Sequence, residues 1–326
     1  MSQKEIIAAV GAGRMGRGMA VAFAYSGHKV RLIDAKARDA DGFDALKTSA
    51  ESDLRAVLSM MADFGLLTRS EVDTVTRRIE IFACDRIAEA LAGIPVIFEG
   101  VPETLNAKEE TFGLISQHAP PDAIIASTTS TILSNHLQGF VSNPERFLNA
   151  HWLNPAYLAP LVELSPGDAT ASDTTAQLKS LLERIGKVPV VCTASPGYIV
   201  PRIQALAMNE AARLVEEGVA SPEDIDKATK YGFGFRFAVL GLLEFIDWGG
   251  GDILYYASRY MANATGEDRF QAPQIVQQNM AEGRNGLRDG EGFMQYDGMD
   301  IPAYRKERIG AFAAMLRHLD KMPVKG

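Results

Sequence analysis

The sequence predicts an α/β protein, an open, doubly wound parallel sheet with an inserted helical hairpin, followed by an all-α C-terminal domain. Three observations predict it. An apolar strand at Glu5–Val10 runs into the glycine string Gly11-Ala12-Gly13-Arg14-Met15-Gly16-Arg17-Gly18 and on into a small-residue helix. Short apolar runs then recur between helical or turn segments, as expected of strands buried on both faces. Beyond Ala194-Ser195-Pro196-Gly197 the spacing of apolar residues is helical.

The elements follow in order. Met19–Tyr25 continues the first helix to Ser26-Gly27, and Lys29–Ile33 is a second strand ending at Asp34, which completes a β–turn–α–β unit. Asp39 to Arg78 reads as the inserted hairpin, with Leu54, Val57, Leu58 and Met61 on one face. Pro95–Phe98, Ala123–Ala126, Phe147–Ala150 and Val188–Val191 are the next parallel strands, with Leu161–Leu164 as an additional one. The first domain is therefore placed at residues 1–194 and the helical domain at 195–326. In the latter, Ile203–Val215 carries an apolar face and Ser221-Pro222-Glu223-Asp224 combines an N-cap, a first-turn proline and acids at the positive helix end. Helices are expected over Leu240–Met261, Ala272–Ala281 and Pro302–Leu319, with a turn at Gly290-Glu291-Gly292-Phe293.

A net charge of −8 and a pI near 5.3 disfavour nucleic acid and anionic membrane as partners. Cys84 and Cys192, far apart, suggest neither a disulfide framework nor a metal site, and point to a reducing compartment. Met1–Glu5 leads straight into a strand without a signal-peptide pattern, and no apolar stretch approaches the ~18 residues of a membrane span. The expectation is a cytoplasmic protein without metal.

The glycine string has the dinucleotide fingerprint with its context: strand before, helix after, acid at the end of the second strand. Gly11 permits the tight turn, Gly13 lets the backbone approach a pyrophosphate, and Gly16 lets helix and strand pack closely. Arg14 and Met15 lie at the helix N-terminus, where free amides and the dipole face phosphates. Asp34 is placed to accept bonds from ribose hydroxyls and repel a 2′-phosphate, which favours NAD; Lys36 and Arg38 follow it and would attract that phosphate. The Rossmann-like reading rests on these residues.

His151 ends the strand Phe147–Ala150, just before Asn154-Pro155, and in such sheets ligands gather at the carboxyl ends of strands. Glu163 lies in the apolar run Leu161-Val162-Glu163-Leu164, where a carboxylate needs a partner. That partner is His151, oriented as a general base, or an arginine in a structural pair. Ser127-Thr128-Thr129-Ser130-Thr131 also follows a strand and either caps the next helix or bonds a substrate oxygen. Glu99 and Glu103 follow Pro95–Phe98 in the same position.

Together, Gly11–Gly18, Glu99-Gly100-Val101-Pro102-Glu103 with Lys108, Ser127–Thr131, His151 to Glu163, Ser195-Pro196-Gly197-Tyr198-Ile199-Val200 and Gly290–Phe293 resemble the 3-hydroxyacyl-CoA dehydrogenase family over nearly the whole chain. The resemblance implies a Rossmann-like domain followed by a helical domain that holds a substrate cleft and forms a homodimer. It implies NAD-linked, reversible oxidation of an (S)-3-hydroxyl to a 3-ketone, in fatty acid metabolism for a 3-hydroxybutyryl-CoA-like substrate. It makes His151 the general base, Glu163 its orienting carboxylate and Ser130 a contact to substrate oxygen and nicotinamide. Glu103, Lys108 and Asn154 fall on cofactor contacts, and Asn154 and Tyr157 on the substrate side.

Two positions depart from the family pattern. Pro201 stands where an asparagine is common in the substrate pocket, and proline lacks both an amide side chain and an N–H, which puts a kink at the helix start in prospect. Asp53 and Met60 occupy hairpin positions that offer serine and lysine to CoA, and Asp44–Gly65 carries a local charge of −2. Asn154–Tyr157, Leu214–Gly218 and Arg236-Phe237-Ala238 resemble instead the branch acting on free hydroxy acids, the L-gulonate 3-dehydrogenase and carnitine dehydrogenase relatives. There Arg236 is the candidate for a substrate carboxylate, against an ordinary surface charge. A short-chain acyl-CoA is placed first and a free 3-hydroxy acid second. A third reading is a crystallin-like structural protein that binds NAD(H), against which stand His151, Glu163, Ser130 and Asn154 together.

Overall fold

All four residues of strand β1 (Ile7–Val10) are buried. Ile7 and Ala9 join one apolar layer, Ala8 and Val10 the other, the two-residue period a strand imposes. β1 lies inside an eight-stranded sheet with β2 (Val30–Ile33), β3 (Ile79–Phe82), β4 (Val96–Glu99), β5 (Ile124–Ser127), β6 (Phe147–Trp152), β7 (Leu161–Pro166) and β8 (Val188–Val191). The order is β3-β2-β1-β4-β5-β6-β7-β8. Every neighbouring pair is parallel except β6 and β7, which run antiparallel. The doubly wound sheet is as the sequence predicts, but strand β3 and the antiparallel seam are not. Apolar runs report burial and carry no sign of direction.

The computed structural model describes residues 4–324, and the chain divides into two units, one ending at Ala207 and one beginning at Met208. In the first, α1 (Arg14–Tyr25), α2 (Ala40–Asp63), α3 (Arg69–Thr76) and α7 (Ser172–Arg184) supply the apolar layer that holds Met19, Phe23, Leu54, Leu58 and Leu182. The opposite layer draws on α4 (Ile87–Leu91), α5 (Leu105–His118) and α6 (Ser134–Leu137), with Ile87, Phe112 and Leu137 buried. Helices α2 and α3 are the inserted hairpin. Asp39 starts α2 by accepting from the Gly42 amide at 2.8 Å as an N-cap.

Helix α8 (Val200–Glu216) begins inside the first unit, and the division between the units falls within it. Pro201 is its second residue, where an N–H has no intrahelical acceptor to lose, and the helix runs on without a break.

The second unit holds α9 (Pro222–Ala228), a π-helical turn over Thr229–Gly234 running into α10 (Phe235–Phe237), α11 (Leu242–Gly249), α12 (Gly251–Thr265), α13 (Gln274–Ala281) and α14 (Ile301–His318). Ser221 Oγ accepts from the Asp224 amide at 3.2 Å at the start of α9, as the sequence predicts. The single helix expected over Leu240–Met261 is corrected to two. The chain turns at Gly250 with φ of +113°, a conformation that favours glycine. Asp247, buried in α11, accepts from the amides of Phe293 and Met294, both at 2.9 Å, and from the Tyr296 hydroxyl at 3.0 Å, which fixes the predicted turn at Gly290–Phe293. Among the described residues no helix is long and apolar enough to cross a membrane.

Candidate active site

The turn after β1 is built for close backbone approach. Gly11 has φ of +114°, and a Cβ there would stand 2.6 Å from the Gly100 carbonyl oxygen; one on Gly16 would meet the Gly11 oxygen at 1.9 Å. Gly13 differs, with nothing within 4 Å of the same position. Two glycines are thus compelled by packing, and the third opens space in front of the α1 N-terminus, where no side chain caps the first amides. This arrangement fits a dinucleotide pyrophosphate.

Asp34, 4% exposed, closes β2. Its Oδ2 accepts from Arg38 Nε at 2.6 Å and its Oδ1 from the Lys36 amide at 3.2 Å. Arg38 is therefore drawn onto the carboxylate that precedes it. A cleft of about 340 Å³ beside them is lined by Lys36, Arg38, Cys84 and Ile87 among others.

At the ends of β4 and β5 a second network gathers. Glu99 and Lys108 are both fully buried, with Nζ 3.0 Å from each carboxylate oxygen. Glu99 also accepts from Ser127 Oγ at 2.6 Å and the Val101 amide at 2.7 Å. Lys108 stands 3.6 Å from Glu103. Glu103 Oε1 in turn accepts from the hydroxyl of Thr129, the amides of Ser130 (2.9 Å) and Thr131 (3.0 Å) and the Thr131 hydroxyl (3.0 Å). Burial would raise the Glu103 carboxyl, but the Thr129 hydroxyl, the Lys108 ammonium and Thr131 outweigh it and hold it below the usual carboxylate range. Lys108 thus lies in the wall behind the Ser130 loop, and Glu103 fastens that loop.

His151 and Glu163 are directly opposite residues of the antiparallel β6–β7 pair, and Nδ1 lies 2.8 Å from Glu163 Oε2. Both are buried. Twelve residues of separation become one cross-strand contact because the chain reverses between the two strands. Glu163 Oε1 accepts from the amides of Ile199 and Val200, at 2.9 and 2.8 Å. Nδ1 therefore donates to the carboxylate, and Nε2 presents its lone pair.

Sequence reasoning gave no role to Tyr198 or Asn149. The Tyr198 ring stacks on His151, with centroids 5.2 Å apart and planes 11° from parallel. Its hydroxyl donates to the Thr129 carbonyl at 3.0 Å and accepts from Asn149 Nδ2 at 2.9 Å. Burial raises the phenol above its ordinary range, so it stays a donor. The available signals were the aromatic after Pro196-Gly197 and a polar residue two places before His151 on a buried strand.

The loop from Asn154 to Ala159 is anchored from below. Lys187, buried and 5.2 Å over the Trp152 ring, donates to the carbonyls of Ala156 and Ala159, each at 2.7 Å. Burial pushes its ammonium down to about 8. Asn154 and Tyr157 line a cleft of about 480 Å³ with Arg14, Arg17, Asp53 and Leu54, which brings two predicted substrate residues beside the cofactor turn. Asp53 is paired with Arg17. Arg236 belongs to the second unit, exposed, with Nε 3.0 Å from its own Gly232 carbonyl and the guanidinium 5.3 Å over the Phe245 ring.

Comparison with known proteins meets the same elements. Residues 6–195 match the family model of the 3-hydroxyacyl-CoA dehydrogenase NAD binding domain, and residues 197–296 that of the 3-hydroxyacyl-CoA dehydrogenase C-terminal domain. A 5-formyl-3-hydroxy-2-methylpyridine 4-carboxylate 5-dehydrogenase of Mesorhizobium japonicum is 31% identical, over 96% of this chain and 98% of its own. A probable 3-hydroxybutyryl-CoA dehydrogenase of Bacillus subtilis is 30% identical, over 91% of this chain and 99% of its own. The crystal structure of a 3-hydroxyacyl-CoA dehydrogenase from Archaeoglobus fulgidus superposes with a TM-score of 0.76 at 29% identity, covering 98% of this chain and 100% of that one. With the glycine turn, both family models and relatives of full length in agreement, the chain belongs to the 3-hydroxyacyl-CoA dehydrogenase family, NAD-dependent oxidoreductases that act on a CH–OH group.

Proposed function

We propose that this enzyme interconverts an (S)-3-hydroxyacyl group and the 3-oxoacyl group, with His151 as general base. The observation that carries this reading is the carboxylate of Glu163, held by two backbone amides and given to Nδ1 of His151. A base so held keeps one tautomer and directs Nε2 to a hydroxyl proton. Glu163 then faces the imidazolium that proton removal creates. Bound NAD supplies the acceptor for the hydride that leaves carbon 3. Ser130, in the loop fastened by Glu103, is assigned to the substrate oxygen. Gly11, Gly13, Arg14, Met15, Gly16, Asp34 and Asn154 are assigned to the cofactor, with Lys108 and Glu103 behind them, and Asn154 and Tyr157 also to the substrate.

A short-chain 3-hydroxyacyl-CoA, an intermediate of fatty acid metabolism, is the first reading of the substrate, supported by the family and by the name of the Bacillus relative. One observation favours a free 3-hydroxy acid as the second. Three guanidinium groups in and beside the hairpin are already neutralised: Arg55 by Asp73 at 2.7 Å, Arg69 by Asp63 and Arg17 by Asp53. The phosphates of CoA would find Lys47 as the unpaired cation among the described residues of α2. The Mesorhizobium relative is named for a small aromatic carboxylate. In this second reading Arg236 meets the substrate carboxylate.

Loss of NADH absorbance with acetoacetyl-CoA and with a panel of 3-oxo acids tests the proposal. Turnover of acetoacetyl-CoA with tight competitive inhibition by free CoA supports the first reading. Turnover of free acids with no inhibition at millimolar CoA supports the second, and turnover of neither overturns the proposal.

The second unit supports a homodimer. Tyr260 is 74% and Ile253 63% exposed, and Leu242, Phe245, Ile246 and Trp248 are half-buried. Both cysteines are free thiols, in keeping with a reducing, cytoplasmic setting.

A further inference from the structure

We infer that Tyr198 is a positioning residue for the reaction, holding His151 with its ring and the Ser130 loop with its hydroxyl. The inference rests on the roles of His151 and Ser130 proposed above. It begins with the backbone. Gly197 and Tyr198 have φ of +75° and +46°. Glycine takes that region freely, whereas a bulky side chain does so where its surroundings compensate, and such residues cluster at functional sites. Here the turn aims the Ile199 and Val200 amides at Glu163 while the ring folds back onto His151.

The two contacts on the imidazole are complementary. The bond from Nδ1 to Glu163 sets one direction and leaves the ring able to rock about it. Tyr198, nearly parallel at 5.2 Å, removes that freedom. Its π face also favours the positive charge that the base acquires.

The phenol is itself held at its far end. It donates to the Thr129 carbonyl and accepts from Asn149, whose amide also donates to the Ile132 carbonyl at 2.8 Å. Asn149 lies two residues before His151 on β6, so both side chains leave the same face of the sheet. One asparagine and one tyrosine thus tie both ends of the 129–132 segment to the strand that carries the base, and Ser130 lies between the tied points.

A set of variants tests this, with kcat, KM for NADH and substrate, and Tm read for each. Tyr198→Phe keeps the ring and is expected to lower kcat roughly 5- to 10-fold, about one hydrogen bond's worth, with KM for NADH unchanged. Tyr198→Leu is expected to lower kcat on the order of 10²-fold, the effect of a misplaced base. Ser130→Ala should lose turnover, and adding Tyr198→Phe to it should cost nothing further; independent, multiplying losses overturn the hydroxyl's role. Likewise Tyr198→Leu should add nothing to His151→Ala, and a further equal loss overturns the ring's role. If Ser130→Ala keeps full turnover, the assignment of Ser130 fails and takes the hydroxyl's role with it, while the His151 cycle still decides the ring. If Tyr198→Leu does not fold, the phenylalanine cycle decides; unchanged kcat in Tyr198→Phe overturns the inference.

Discussion

Glu163 stands directly across the antiparallel seam from His151, 2.8 Å from its Nδ1, and spends its other oxygen on two backbone amides. The carboxylate is therefore fixed from the sheet side and from the helix side before it touches the base. His151→Ala is expected to lower turnover roughly 10²–10⁴-fold with NADH affinity little changed. Glu163→Gln should also lose rate, because one amide oxygen cannot replace two carboxylate oxygens. Steady-state kinetics with NADH fluorescence titration check both, and normal turnover in His151→Ala would end its assignment as base.

Lys108 and Glu99 form a fully buried ion pair, so removing one charge strands the other. Lys108→Met should destabilise the fold by about 3–5 kcal/mol, and the pair Glu99→Gln with Lys108→Met by less. Urea denaturation measures this. A Lys108→Met enzyme of normal stability that no longer binds NADH would show that the lysine acts on the cofactor itself.

Asp34 is the residue to which we assign the cofactor preference, since its carboxylate would repel a 2′-phosphate and it occupies Arg38. The enzyme should show higher kcat/KM with NAD(H) than with NADP(H). Asp34→Ala, which frees Arg38, should narrow the gap. A wild-type preference for NADPH would contradict this.

Lys187 yields a pH dependence. Burial lowers its ammonium from 10.5 to about 8 in the folded chain. Between those values the unfolded chain binds the proton more than the folded one, so this group's contribution to stability rises with pH from about 8 to 10.5. Below 8 its penalty is constant. The stability of the wild type relative to Lys187→Met should therefore improve between pH 7.5 and 10, by something on the order of 1–3 kcal/mol. Denaturation curves at the two pH values decide, and a constant difference would sink it.

The helices of the second unit should join two copies of the chain. Light scattering at micromolar concentration is expected to give twice the chain mass, and a monomer would contradict it. Tyr260→Lys and Ile253→Lys, at exposed positions of α12, should weaken the association while leaving the unit folded.

Local chemistry made much of this legible in the sequence. The glycine turn, Asp34 and the start of α9 depend on residues a few places apart, and each lies where the pattern put it. His151 and Glu163 could be named because a carboxylate in an apolar run needs a partner. Their antiparallel pairing could not, since Leu161–Leu164 reads the same in either direction. β3 is an edge strand whose Ile79 and Glu80 are not buried, so no fully apolar run marks it. The break at Gly250 does carry a local signal, Gly249-Gly250-Gly251, set between two apolar stretches of helical spacing. Tyr198 was hidden for a different reason, because its contacts join strands β5 and β6 to the turn before α8 and no local pattern records them.

The amides and hydroxyls of the Ser130 loop converge on one carboxylate, and that carboxylate resists protonation. Neutralising Glu103 would release Thr129, Ser130 and Thr131 together, but its neighbours push that event below the range of an ordinary glutamate. The loop's order contributes above the ordinary carboxylate range and is lost only as pH falls through the depressed value. A decline of turnover on mild acidification is thus insulated from loop melting.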